Sequence, residues 1–312
     1  MSDTTKSPSI APAGEGRLQR LLRGDLTDRQ LAVVLMLPAA VLIFSLVIYP
    51  VGRLVWLSLQ DFRLTAPHLR EFVGLDNYTG MFTDSGFLSS MRVTAIYGIG
   101  SIVLPAIMGL IMALIVNGAF KGRWIARVAV ILPWAMPHSL SALTWAWILN
   151  TQRGVANDIL LRTGIISDLV NWLGDPTLAM GALIFATTWK TGSFVALILL
   201  AGLQSIPDEF YDSAAVDGAG PFQRLMRITL PMLRPHFMIA LIFRTIVAIQ
   251  LFDFPYALTQ GGPGISTRPL SMYVYRVTLG HMNFGYGAAL AIVMSLLIIV
   301  LTVMYMRLLR ER

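Results

Sequence analysis

The chain has 312 residues, 55% of them apolar and only 13% charged, with a mean hydropathy of +0.67. Soluble domains are about 25% charged, so this chain lacks the polar residues to cover a water-facing surface and reads as a membrane protein. The absence of cysteine excludes disulfides, thiol catalysis and thiolate metal sites. His68, His138, His236 and His281 are too dispersed for a local metal-ligand pair, and no catalytic or metal site is expected.

Residues 1–30 mix Ser, Pro and Gly with both signs of charge and show no apolar periodicity. They predict a cytoplasmic tail, mostly disordered, that ends in a short lead-in helix. The apolar run that follows is too long for a secretory signal and lacks a small-residue cleavage pattern, so it is expected to stay attached. A helix needs about 20 apolar residues to cross the hydrocarbon. Uncharged runs of 23, 28, 25 and 30 residues at Gln30–Gly52, Val93–Phe120, Val128–Gln152 and Val277–Met306 predict spans near 31–49, 94–116, 129–149 and 288–305. Two more apolar stretches carry internal charge: 181–203 contains Lys190, and 237–258 contains Arg244 and Asp253. The predicted fold class is therefore all-α, with six transmembrane helices.

Placing both termini with the second and fourth loops gives that side 14 Lys and Arg, against 7 in the three opposite loops. Short cytoplasmic loops are enriched in these residues, so both termini are predicted to be cytoplasmic. The net charge of +7 then reports topology, and no nucleic-acid partner is expected. The outside connections are 60–92 and 150–178, with some helical character, and the Gly-rich 259–286. None is long enough for a globular domain.

The fourth loop, residues 205–231, is the most informative segment. Ser205 is expected as an N-cap, with Pro207, Asp208 and Glu209 in a first turn where the helix dipole favours acids. Gly218 is a natural left-handed stop, and Pro221 opens a second short helix that ends near Pro231. Phe210, Ala214 and Asp217-Gly218 would share one side of the first helix. Such a hairpin can rest on lipid or dock into a partner, and the Gly-Ala-Gly-Pro corner favours docking. The chain itself has no phosphate-cradling G-x-x-x-x-G-K-[ST] loop, because its three lysines follow Thr5, Phe120 and Trp189.

The stretch Asp212-Ser213-Ala214-x-x-Asp217-Gly218-Ala219, followed by Ile228-Thr229-Leu230-Pro231, resembles the EAA loop of binding-protein-dependent ABC importer permeases. The surroundings resemble the carbohydrate branch, the family of the maltose and glycerol-3-phosphate importers' first permease subunit. Phe72-Val73-Gly74-Leu75-Asp76-Asn77-Tyr78, Ala201-Gly202-Leu203-Gln204-Ser205-Ile206-Pro207 and Leu258-Thr259-Gln260-Gly261-Gly262-Pro263-Gly264 carry that likeness, which covers roughly residues 30–310. Asp212 stands where the family has Glu, and Ser213 where it has Ala. The resemblance implies a transmembrane domain over 31–310 with coupling helices between spans four and five. It makes Asp212, Ser213, Ala214, Asp217, Gly218 and Ala219 ATPase-coupling positions. It also implies a second permease subunit, an ATP-binding-cassette ATPase dimer carrying ATP and Mg, an extracytoplasmic solute-binding protein, and residence in a bacterial or archaeal cytoplasmic membrane. The protein would then be a translocation subunit rather than an enzyme, moving a sugar or related polyol by alternating access.

Ionisable residues inside the membrane point to function, with a partner expected. From the loop ends of their helices, Lys190 lies about 20 Å up, Asp253 about 26 Å and Arg244 about 12 Å, so Lys190 and Asp253 are expected to face each other. Either they pin two helices together or they line a polar pathway. Trp189, Phe252 and Tyr256 offer ring faces for sugar C–H groups, and Gln250, Asp253 and Tyr256 can bond hydroxyls. Together with Lys190, these form the candidate substrate pathway. The competing function is an autonomous ion-coupled transporter, which calls for charged or broken helices in two inverted halves. The internal charges fall only in spans four and five.

Overall fold

The structure, a computed structural model, describes residues 28–310 and divides into two units at Leu54–Val55. The predicted tail over 1–27 lies outside the described residues. Helix α1 (Asp28–Ile43) passes through a π turn, Phe44–Ile48, into α2 (Tyr49–Ser58), within which the boundary between the units falls. The Ser45 hydroxyl donates to the Val41 carbonyl at 2.7 Å, beside the turn where the ladder loosens. No residue in its apolar window is buried, as suits a helix whose surroundings are hydrocarbon.

The second unit continues with a two-residue antiparallel hairpin, β1 (Gln60–Asp61) and β2 (Glu71–Phe72), and the short α3 (Asp76–Gly80). Helix α4 (Ser85–Asn117) starts nine residues before the expected span because Asp84 caps it, accepting from the Gly86 N–H at 2.8 Å. Helices α5 (Arg123–Ala135), α6 (His138–Ile148) and α7 (Val155–Arg162) follow. Next comes α8 (Pro176–Gln204), capped by Asp175 with Pro176 at its first position.

The loop helices are α9 (Asp208–Val216) and α10 (Pro221–Arg224), from which a π turn, Leu225–Thr229, leads into α11 (Leu230–Gln250). The chain closes with α12 (Asp253–Thr259), α13 (Leu270–Tyr275), a π turn and α14 (Phe284–Arg310).

Two expectations are corrected here. The predicted span 129–149 is two helices, because Met136 is extended (φ −72°, ψ 142°) ahead of Pro137, as proline demands of the residue before it. The predicted span 237–258 breaks at Leu251 (φ −63°, ψ 110°). In an unbroken helix the Pro255 ring would strike the Leu251 carbonyl four residues back. Among the described residues, five helices are long and apolar enough to cross a membrane, the other four being α4, α8, α10 through α11, and α14.

The spine is α4 against α8, brought close by small residues. A Cβ added at Gly109 would stand 2.6 Å from the Val195 Cβ, and one at Gly100 would stand 2.7 Å from Ile184. Buried Tyr97 crosses the same contact, with its hydroxyl 3.0 Å from the Thr187 Oγ1. One apolar cluster joins Ala113, Leu199, Leu203 and Leu233 toward the loop end. Another joins Tyr97, Ala142, Leu183, Leu251 and Phe254 around the helix breaks.

Candidate functional site

Helix α9 ends as glycine chemistry requires. Gly218 sits at φ +77°, the Ala219 N–H donates to the Ala214 carbonyl at 2.8 Å, and the Gly218 N–H donates to the Ala215 carbonyl at 3.1 Å. This pair of bonds is a Schellman stop. No atom lies within 4 Å of where a Gly218 Cβ would be, so backbone conformation alone calls for glycine. The Arg224 Nε then donates to the Ala219 carbonyl at 2.8 Å, closing the corner.

The loop is pinned from inside. The Tyr211 hydroxyl lies 3.0 Å from the Thr229 Oγ1, and its ring packs on the cluster that holds the ends of α8 and α11. Ser205 is not the N-cap expected of it: its hydroxyl donates to the Gly202 carbonyl at 2.8 Å and ends α8, while Pro207 precedes α9. Proline suits that place because the first N–H groups of a helix have no acceptor inside it. Asp212, Ser213, Asp217 and Gly218 are exposed, whereas Ala214 and Ala219 are half-buried. Ala214 thus leans toward the protein with Tyr211, and the outward face carries Phe210 and Val216 instead.

At the other candidate region, the two helix breaks meet. Half-helices α6 and α12 pack through Ala142, Phe254 and Leu258. Each break is closed by a side chain from a neighbouring helix. The Lys190 ammonium donates to the carbonyls of Pro133 at 3.2 Å, of Trp134 at 3.3 Å and of Met136. The Ser271 hydroxyl donates to the Leu251 carbonyl at 3.0 Å. Lys190 is only 1% exposed, and its positive charge sits at the negative end of the α5 dipole. This overturns the expected Lys190–Asp253 pair: carbonyls hold the lysine, and Asp253 is exposed at the start of α12. Arg244, also buried, donates from Nη2 to the Ser101 carbonyl at 2.5 Å.

A binding-protein-dependent transport system inner membrane component model matches residues 105–312. A sulfoquinovosyl glycerol transport system permease protein of Agrobacterium fabrum is 43% identical, over 92% of this chain and 93% of its own length. A trehalose/maltose transport system permease protein of Thermococcus litoralis is 39% identical, over 91% and 95%. The chain belongs to this permease family. A crystal structure of a bacterial ABC transporter involved in the import of the acidic polysaccharide alginate contains a chain of the same fold. That chain has a TM-score of 0.79 at 23% identity, covering 95% of this chain and 99% of the other.

The permease thus places four of the six candidate pathway residues together. Phe252 stacks on Tyr256 with centroids 5.0 Å apart, and exposed Gln250 and Asp253 flank them. Lys190 lies behind the α5–α6 break, and Trp189 sits apart, edge-on to Trp145 at 5.6 Å. Sequence reasoning missed Tyr275, whose ring is 4.9 Å from Phe252, and half-buried His138 at the head of α6. Tyr275 arrives from α13 across a loop, so nothing local in the sequence announces it.

A second site missed by sequence lies at the opposite end of α4 from the loop. Tyr273 and Tyr286 both donate to the Asp84 Oδ2, at 2.5 and 2.6 Å. Burial alone would raise the Asp84 carboxyl. The two phenols and the Gly86 and Phe87 backbone N–H groups outweigh it and hold that carboxyl below the ordinary range. Burial, reinforced by Asp84, raises the Tyr273 hydroxyl.

Proposed function

We propose that this permease is the translocation subunit of an ATP-driven importer that moves a sugar or related polyol inward by alternating access. The named relatives carry sugar or sugar-glycoside permease names, and the aromatic and polar cluster at the helix breaks suits a hydroxylated ring. Phe252, Tyr256 and Tyr275 give ring faces, Gln250 and Asp253 give hydroxyl partners, and Trp189 and Lys190 support the walls. The importer comprises this chain, a second permease, an ATPase dimer that holds ATP and Mg, and an extracytoplasmic binding protein. The family match sets aside the self-contained ion-coupled reading.

In this reading the chain crosses a bacterial or archaeal cytoplasmic membrane six times, the broken α5–α6 pair being the third crossing. Both termini and the α9–α10 corner are cytoplasmic. Residues 1–30 form the tail and 31–310 the transmembrane domain. Irregular backbone at membrane depth is tolerated where protein buries it or a cavity faces it, and helix breaks near the midplane mark transporter sites. The outside connections 60–92, 150–178 and 259–286 receive the binding protein.

The observation that carries the coupling role is the clamp: an exposed α9 joined through Tyr211 to the ends of the two long helices beside the breaks. Asp212, Ser213, Asp217 and Gly218 present the outward surface, and Ala214 and Ala219 support it. ATPase closure would move α9, and α8 and α11 would carry that motion to the breaks. The test uses the cysteine-free chain. A single Cys at exposed Ser213, with one in the groove of the co-expressed ATPase, gives a crosslink whose yield changes on ATP binding. An inserted protein that never crosslinks at any position from 212 to 218 refutes the coupling role.

A further inference from the structure

The loop end of the bundle holds a cavity that the transport reading does not use. It lies between α4, α5 and α8 and has a volume of about 170 Å³. Its wall is apolar apart from Arg127 and Gln204, with Ala113, Val116, Ile131 and Ala196 among the residues behind them. Gln204 is the last residue of α8, and Arg127 lies four residues into α5. Ala196 and Ile131 lie eight residues in from those same ends, or about 12 Å deep at 1.5 Å per residue. The cavity is therefore polar at its mouth and apolar at its floor.

The Arg127 side chain is half-buried, and its Nε is buried without an acceptor; among the described residues no ion pair to it is found, and no carboxylate lines the cavity. A buried guanidinium N–H without an acceptor is costly, and the neighbouring Lys121 and Arg123 add positive charge at the same end. The missing group is an anion, and the slot beneath it is the width of a gap between helices and lined by hydrocarbon. A free inorganic anion would satisfy the arginine and leave that slot empty. An anionic amphiphile fills both.

We propose that this cavity binds an anionic phospholipid of the cytoplasmic leaflet. Its headgroup phosphate accepts from Arg127, and an acyl chain runs between α4, α5 and α8 toward Ala196. Basic pockets between membrane helices on the cytoplasmic side suit such headgroups. The assignment of leaflet rests on the proposed topology; the unpaired Arg127 Nε–H and the apolar slot do not. Bound lipid would tie α5, which carries the break held by Lys190, to α8, which carries Lys190 itself.

The test is native mass spectrometry of the complete purified importer, titrated with phosphatidylglycerol and, separately, with phosphatidylcholine of the same chains. The wild type is expected to retain one phosphatidylglycerol in preference to phosphatidylcholine. Arg127→Gln should weaken that retention about tenfold, the size of one charge-assisted hydrogen bond. Val130 also lines the cavity; Val130→Phe, which narrows the slot and leaves the arginine in place, should weaken it comparably and decides the matter alone if Arg127→Gln does not assemble. Equal retention of both lipids, or retention unchanged in Val130→Phe, overturns the proposal. Displacement of the lipid by millimolar inorganic phosphate would also overturn it, marking a free-anion site. Because the readout is lipid mass, failure leaves the importer reading untouched.

Discussion

Replacing Lys190 with methionine keeps the stem of the side chain and removes the ammonium. The three carbonyls of Pro133, Trp134 and Met136 then lose their donor in an interior where Lys190 is 1% exposed. An abandoned buried carbonyl costs about 1–3 kcal/mol, a cost that falls fully on Pro133 and in part on Trp134 and Met136, whose bonds are part-buried. Removing the buried charge returns part of that, since an ammonium held away from water is itself penalised. The net expectation is a loss of about 3 kcal/mol, concentrated at the α5–α6 break. Pro137 has no N–H with which to heal the helix, so the break opens rather than closes. Thermal unfolding of the purified importer should show the loss, and ATP-driven uptake should fall with it. The decisive assay is a double-mutant cycle with Asp253→Asn. Carbonyl capping predicts that the two changes add to within about 0.5 kcal/mol. If Lys190→Met/Asp253→Asn instead recovers stability or uptake lost in either single variant, the two charges are paired and the capping argument is wrong.

Gly218→Ala meets no atom within 4 Å and should cost only the left-handed backbone term, about 1 kcal/mol, so insertion survives; Gly218→Asp, which adds a charge to the exposed corner, should abolish uptake in a protein that still inserts, and normal uptake in that variant would count against a coupling role for the corner. Gly109→Val should be among the most damaging apolar changes. Even its Cβ would fall 2.6 Å from that of Val195, and overpacking costs about 1–3 kcal/mol or more; wild-type expression and melting temperature would refute the close α4–α8 contact. Asp84→Ala removes an N-cap worth about 1 kcal/mol and strands the Tyr273 and Tyr286 hydroxyls, so the melting temperature should drop while Asp84→Asn loses less. Since the folded Asp84 carboxyl titrates below its ordinary value, its stabilisation is present above the unfolded value of 3.8 and is lost as pH falls through the lower, folded one. Melting temperature measured between pH 7 and pH 3 should therefore fall more steeply at the acid end in the wild type than in Asp84→Asn, and parallel curves would refute the hub.

Where the sequence was legible, the reason was local. Uncharged runs long enough to cross a bilayer marked the long helices, and Asp208, Glu209, Gly218 and Pro221 punctuated α9 and α10 because caps, stops and proline act within a few residues. Family likeness of the loop motif added the function. The breaks were in principle visible, since Pro137 and Pro255 stand inside otherwise apolar runs, but hydropathy does not register a proline. What no local pattern carries is the partnering across the bundle. Lys190 reaches carbonyls 54 to 57 residues away in the chain, and Asp84 gathers hydroxyls 189 and 202 residues away. A lysine at the depth of an aspartate suggested an ion pair because carbonyl acceptors have no signature in a residue string. They become available only where a helix is cut.

That difference bears on mechanism. An ion pair between Lys190 and Asp253 would lock α8 to α12 and resist any motion that separates two charges in a poor solvent. A lysine that caps a cut helix does something else: it joins α8 to the end of α5, while α6 and α12 meet α8 through apolar packing and not through a charge pair. Helix α8 runs unbroken from Pro176 to Gln204, its loop end lies in the Tyr211 cluster, and Lys190 is near its middle, about 21 Å from that end. Gly109 fits so closely against Val195 that α8 has little room to slide along α4. If ATPase closure moves α9 as proposed, the motion would reach the breaks as a tilt of α8 with Lys190 carried along, and the backbone at Met136 and Leu251, already outside the helical ladder, would absorb the change. Hinges are expected at a few element-terminal residues of this kind, here beside the aromatic cluster that would hold the sugar.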